Sequence, residues 1–143
     1  MANLVVHFEI YGTDPQVLVD YYSALFGWKI DRYGEMDYWG IETGDGSIQN
    51  ASGTSGWGIN GGIGPRQGPA PTPGSPVTGA NIVVAVDDVD GTYAKGIELG
   101  GSEALAPSDM QGVGRLAYLL DPDGNLFGFL SPRLSDGTTA MGG

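Results

Sequence analysis

Residues 6–14 read VHFEIYGTD and residues 80–88 read ANIVVAVDD. Both runs mix β-branched or other apolar residues with few polar ones, and both end on Asp. Each predicts a strand. Asp14 or Thr13 can cap a helix that carries Pro15 in its first turn, and Asp88 can cap a second. Behind the first cap, Val17, Tyr21 and Leu25 recur every fourth residue, and Leu18, Tyr22 and Phe26 form the adjacent row. Val89, Tyr93 and Ile97 repeat that spacing behind the second. Gly27 stops the first helix and Gly100-Gly101 the second. Asp14 to Gly27 is 13 positions and so is Asp88 to Gly101, so strand, cap and stop recur at a constant offset of 74. That offset is a repeat signal although residue identities along it are few.

Working outward, each helix is followed by strand-like pieces. They are 28–33, 36–43 and 56–63 after the first, and 102–106, 113–121 and 125–131 after the second. Asp121-Pro122-Asp123-Gly124 joins the last two, with Pro presetting φ and Gly free to take positive φ. Between the halves, residues 65–79 read PRQGPAPTPGSPVTG and hold five of the nine prolines. Such a stretch is an extended connector. The reading is α+β: two tandem β-α-β-β-β modules, 1–64 and 80–133, making one cupped domain of mixed sheet. Residues 65–79 are the linker, and 134–143 form a tail expected to be flexible.

Composition narrows the function. The 143 residues contain 26 Gly and 9 Pro, but also 14 aromatics, being 3 Trp, 7 Tyr and 4 Phe. The chain is loop-rich yet can bury a core. Seventeen acids against six bases give a formal charge of −11. Such a surface repels nucleic-acid backbones and anionic membranes, so neither is an expected partner. Cysteine is absent, which removes disulfides, thiolate metal sites and cysteine nucleophiles. The one histidine, His7, excludes any site needing two imidazoles from one chain. No apolar run reaches membrane-spanning length, and residues 1–6 lack the basic lead of a signal peptide. A cytoplasmic protein is expected.

The tandem pattern resembles the vicinal oxygen chelate superfamily, which includes glyoxalase I, bleomycin- and fosfomycin-resistance proteins and ring-cleaving dioxygenases. Three segments carry the resemblance: DPQVLVDYYSALFGW at 14–28, VAVDDVD at 84–90 and LLDPDGNLF at 119–127. It implies two modules setting their sheets into a cup around a small-molecule cavity, often across a homodimer. It also implies one divalent cation acting as Lewis acid on vicinal oxygens of the substrate. Its ligands would come from the first and last strands of each module.

Here His7 matches the first ligand position, seven residues before Asp14. The equivalent position before Asp88 is Asn81, a poor ligand beside imidazole. The carboxylate expected four residues after the Asp-Pro-Asp-Gly turn falls on Gly128. From Ser47 to Val86 there is no Asp, Glu or His at all. The inherited metal site is therefore read as lost and no cofactor is expected. A weak site of His7, Glu9 and water stays open as an alternative.

The remaining candidates follow from strand periodicity. His7, Glu9 and Tyr11 share one face of the first strand. His7 and Glu9 are the candidates for proton transfer. Tyr38 and Trp39 point to opposite faces, so one can line the cup, and Trp57 is a further aromatic candidate. Arg115 is a candidate anion ligand if its register turns it into the cup. Asn81 and Gly128 complete the set, with Gly128 leaving room between Phe127 and Phe129, which pack under a helix. An aromatic-walled cavity with few charges suits a small, partly aromatic molecule. The rivals are a divalent-metal lyase or isomerase of the glyoxalase type, and an interaction module whose acidic surface meets a basic protein.

Overall fold

A computed structural model gives the coordinates, and it describes residues 5, 7–45, 47–48, 58–72, 74–76 and 79–140. The chain divides into two units, Met1–Ala70 and Pro71–Gly143.

In the first unit, β1 (His7–Gly12) leads into α1 (Pro15–Phe26), followed by β2 (Lys29–Arg32), β3 (Trp39–Glu42), β4 (Ser47–Ile48) and β5 (Gly58–Pro65). The order across the sheet is β1-β5-β3-β2, with β4 paired to β5. β1 and β5 run parallel and β3 runs antiparallel to β5, so the sheet is mixed. Asp14 caps α1 by accepting from the Gln16 amide, and Gly27 ends it in the left-handed region at φ 73°. That conformation costs glycine little. One face of the sheet packs on α1, where Ile10, Ile41, Ile63 and Trp39 meet Leu18, Tyr22 and Leu25 in the buried core. Trp28 closes that core by stacking on Tyr22, with ring centroids 5.5 Å apart.

The second unit repeats the plan: β6 (Ile82–Ala85), α2 (Val89–Glu98), β7 (Ser102–Met110), β8 (Gly114–Leu120) and β9 (Leu126–Ser131). Its order is β6-β9-β8-β7, again with a parallel first-and-last pair. Asp88 caps α2 through the Gly91 amide. Phe127 and Phe129 are fully buried, as expected of residues beneath a helix. The turn expected at 121–124 forms: Asp121 accepts from the Asp123 and Asn125 amides, and the Gly124 amide donates to the Asp121 carbonyl.

The structure differs from the sequence reading in extent. β5 runs on through Pro65, the first residue read as linker. β7 continues to Met110, four residues past the expected end, because shifts of register let it follow β8. β4 falls in a stretch given no element. Residues 134–140, expected as a loose tail, instead hold a turn. There the Leu134 amide donates to Thr138, Ala140 donates to Pro132, and Ser135 donates to Asp109 from both its amide and its hydroxyl.

Candidate functional site

The face of the first sheet turned away from α1 carries the chemistry. Alternation along β1 buries Ile10 and puts His7, Glu9 and Tyr11 on this face together. Tyr38 reaches the same face from the residue before β3. Its hydroxyl donates to Glu9 Oε2 at 2.6 Å. His7 Nε2 lies 2.9 Å from the same oxygen and 3.2 Å from the Tyr38 oxygen. An ionised carboxylate only accepts, so against it the Nε2 proton is the donor, forked between Glu9 and Tyr38. Two donors thus converge on one carboxylate oxygen. The His7 and Glu9 side chains keep 49% and 36% of their surface in water. The Tyr38 phenol is held well above the ordinary range, first by burial and then by its bond to Glu9.

Glycine makes this meeting possible. Gly62 pairs with both Glu9 and Gly40 in the sheet. A Cβ on Gly62 would stand 1.8 Å from the Tyr38 hydroxyl and 2.9 Å from Glu9 Oε2. Any side chain there would occupy the place where the two groups meet. A Cβ on Gly40 would likewise fall 2.7 Å from the Tyr33 ring. Tyr33 and Tyr38 pair edge to face, with centroids 5.4 Å apart at 68°. The floor is bare backbone and the walls are tyrosine.

Several sequence candidates land elsewhere. Trp39 belongs to the core at 8% exposure, with the Arg32 guanidinium 5.2 Å above its ring, so of the neighbouring pair it is Tyr38 that faces outward. Arg115 turns toward α2. It grips Asp90 with two nitrogens at 2.7 and 2.8 Å, and Asp109 with a third at 3.1 Å. Its guanidinium is thus held by two carboxylates of its own unit. Gly128 faces away from α2, but the space above it is not open. A Cβ there would come within 2.6 Å of the Tyr118 ring. Asn81 is exposed, one residue before β6. Trp57 lies outside the described residues.

Two residues escaped the sequence reading. Tyr33 joins Tyr38 because the hairpin loop between β2 and β3 closes with the Tyr33 amide donating to the Tyr38 carbonyl at 3.0 Å. The signal was available: two tyrosines flank the four residues Gly34–Asp37. Gly62 is the other, and what comes close to it is a side chain, the Tyr38 phenol.

The register also identifies the position in the last strand of the first unit that matches Gly128. Glu9 and Val83 are separated by the repeat offset, Glu9 pairs with Gly62, and Val83 pairs with Gly128. The position in β5 that matches Gly128 is therefore Gly62. The four places where the family pattern seeks ligands hold His7, Gly62, Asn81 and Gly128. One imidazole, one amide and two glycines do not fit a divalent cation that asks for several imidazole and carboxylate donors. Among the described residues, no group of three or more His, Asp or Glu side chains is placed to hold a metal ion. No helix among them is long and apolar enough to cross a membrane.

Comparison with known proteins agrees with the architecture. The family model described as Glyoxalase/Bleomycin resistance protein/Dioxygenase superfamily matches residues 4–129. "Putative glyoxylase CFP32" of Mycobacterium bovis is 44% identical over 62 residues, and its namesake in Mycobacterium tuberculosis matches equally. That match takes in 43% of this chain and only 23% of the relatives' length. A glyoxalase/bleomycin resistance protein/dioxygenase family enzyme from Burkholderia phytofirmans PsJN has a similar structure. Its TM-score is 0.64 at 19% identity, covering 91% of this chain and 98% of the other. A mutant of the fosfomycin resistance protein FosX from Listeria monocytogenes, complexed with Mn(II) and dihydroxypropylphosphonic acid, is also similar. There the TM-score is 0.65 at 17% identity, covering 91% and 90%. At these identities the likeness is one of fold.

Proposed function

From the premise that the chain belongs to the Glyoxalase/Bleomycin resistance protein/Dioxygenase superfamily, we propose that it binds a small, partly aromatic molecule without the divalent metal that members of the family often use. The binding face is the tyrosine-lined side of the first sheet. The observation that carries this reading is the Tyr38 hydroxyl seated on Gly62 and bonded to Glu9 at 2.6 Å. Aromatic walls bury area against a flat ligand and orient it through ring quadrupoles. Glu9 and the Tyr38 oxygen supply the polar contacts that fix its direction. Any turnover on this face would rest on proton transfer by His7 and Glu9. A homodimer and a cytoplasmic location belong to the same reading. Sedimentation and cell fractionation test them.

The donor set is the argument against a metal-dependent lyase or isomerase of the glyoxalase type. Calorimetric titration of tag-free protein with Ni, Mn, Zn and Fe(II) is the decisive test. The expected result is no stoichiometric binding tighter than about micromolar, near −8 kcal/mol. Binding of that strength would mean that other carboxylates rebuild the site, and would overturn the metal-free reading. A panel of aromatic fragments, followed by intrinsic fluorescence, tests the face itself. Saturable binding that weakens in His7→Ala or Tyr38→Phe is the expected outcome.

A further inference from the structure

Three tyrosines and one carboxylate share the open face of the first sheet. The Tyr33 and Tyr38 rings stand edge to face at 5.4 Å, which makes a corner rather than a flat wall. A Cβ on Gly64 would lie 3.6 Å from the Tyr38 ring and 4.0 Å from the Tyr11 ring, so Tyr11 borders Tyr38 on its other side. Tyr11 and Tyr33 remain 47% and 57% exposed. Glu9 sits beside Tyr38 and accepts from it. The π faces are electron-rich, and the carboxylate adds a full negative charge next to them.

Each described Lys and Arg of this unit has a partner, a carboxylate for Lys29 and neutral carbonyls for Arg32 and Arg66, which keep their charge. Lys29 lies 3.7 Å from Glu42. Arg32 donates to the Glu35 and Met36 carbonyls and stacks on Trp39. Arg66 donates to the Tyr11 carbonyl at 2.9 Å. Glu9 raises the Tyr38 phenol after burial does, which places its carboxylate in direct contact with the tyrosine wall.

We propose that this face takes an organic cation, a flat or N-methylated ammonium whose charge rests among Tyr11, Tyr33 and Tyr38 and against Glu9. The inference rests on the small-molecule reading above and names its ligand class. Ring quadrupoles attract an alkylated cation without asking it to donate a hydrogen bond. An alkylated cation also sheds its water more cheaply than a primary ammonium does. Glu9 then selects charge over shape, and the rings select a ligand broad enough to touch two of them.

The test compares 1-methylquinolinium with 4-methylquinoline, a pair of matched size in which only the first is charged at about pH 8, where free imidazole is neutral. Affinities come from calorimetry on the full chain. The expected result is about tenfold tighter binding of the cation, a preference that shrinks in Glu9→Gln. A net charge of −11 attracts any cation to the surface at large. Tyr33→Leu separates the two effects, since it keeps the charge and the Glu9–Tyr38 bond. It should weaken the cation about three- to thirtyfold. Equal affinity for the two probes overturns the cation inference and leaves the small-molecule reading standing. An unchanged affinity in Tyr33→Leu also overturns the inference, by assigning the attraction to net charge. Binding of neither probe overturns both.

Discussion

Tyr38 donates to Glu9 at 2.6 Å across 29 positions of sequence, and both sit above a residue without a side chain. His7 Nε2 lies 2.9 Å from the same oxygen, so a single oxygen ties β1 to the residue that leads into β3, on the face that the helix leaves open.

Tyr38→Phe keeps the ring and removes the donor. Folding stability should fall by about 1 kcal/mol, the loss typical of one hydrogen bond at a partly wet site. Burial and Glu9 hold the Tyr38 proton above the ordinary phenol range. The bond therefore contributes fully below about pH 10 and is lost as pH rises through the folded value. In an ultraviolet titration, wild type and variant should release the same number of phenol protons near about pH 10. A smaller release in the variant would mean that Tyr38 ionises like an exposed tyrosine.

Two glycine-to-alanine changes should behave differently. In Gly62→Ala the new methyl meets the tip of Tyr38, which can swing away. Stability should fall by no more than the about 1 kcal/mol of the lost Tyr38–Glu9 bond, while ligand binding and the late-titrating tyrosine are lost. In Gly128→Ala the methyl meets the body of the Tyr118 ring at 2.6 Å, and that ring lies within β8. A cost of about 1–3 kcal/mol is expected there. Denaturant melts of both variants check the contrast, and equal losses would contradict it.

The Arg115 cluster sets an acid limit. Asp90 is held below the ordinary carboxylate range first by its bond to Arg115, and Asp109 first by the Ser135 hydroxyl with Arg115 adding to it. Depressed carboxylates bind fewer protons folded than unfolded. The stability they bring is whole above about pH 4 and is lost as pH falls through their folded values. The melting temperatures of wild type and Arg115→Met should differ at neutral pH and draw together in acid. A gap that persists in acid would assign the contribution of Arg115 to packing.

The parts of the fold that local chemistry decides were legible. Asp14 and Asp88 cap helices because each carboxylate needs only an amide two or three residues on. The Asp121 turn is local in the same way. The His7–Glu9 pairing on one face followed from the period of a strand. What escaped depends on register between strands. Tyr38 and Trp39 must point opposite ways, but which one faces α1 is set by the pairing of Trp39 with Ile63. Arg115 finds Asp90 only because β8 packs beneath the first turn of α2. Gly128 looked like open room because a neighbouring Tyr118 cannot be seen along one strand. The turn at 134–140 is fixed by Asp109, far back in sequence.

β5, the GINGGIGP strand, lies between β1 and β3 and offers almost no side chains to the open face. A face floored in this way borrows its whole outline from its neighbours. Changes on β1 and in the loop between β2 and β3 can reshape it in either direction, larger or smaller, polar or apolar. Changes at Gly62 can only subtract volume. Selection for a new ligand would therefore leave the floor alone and rewrite the walls, and directed libraries aimed at this face are best drawn from positions 7, 9, 11, 33 and 38.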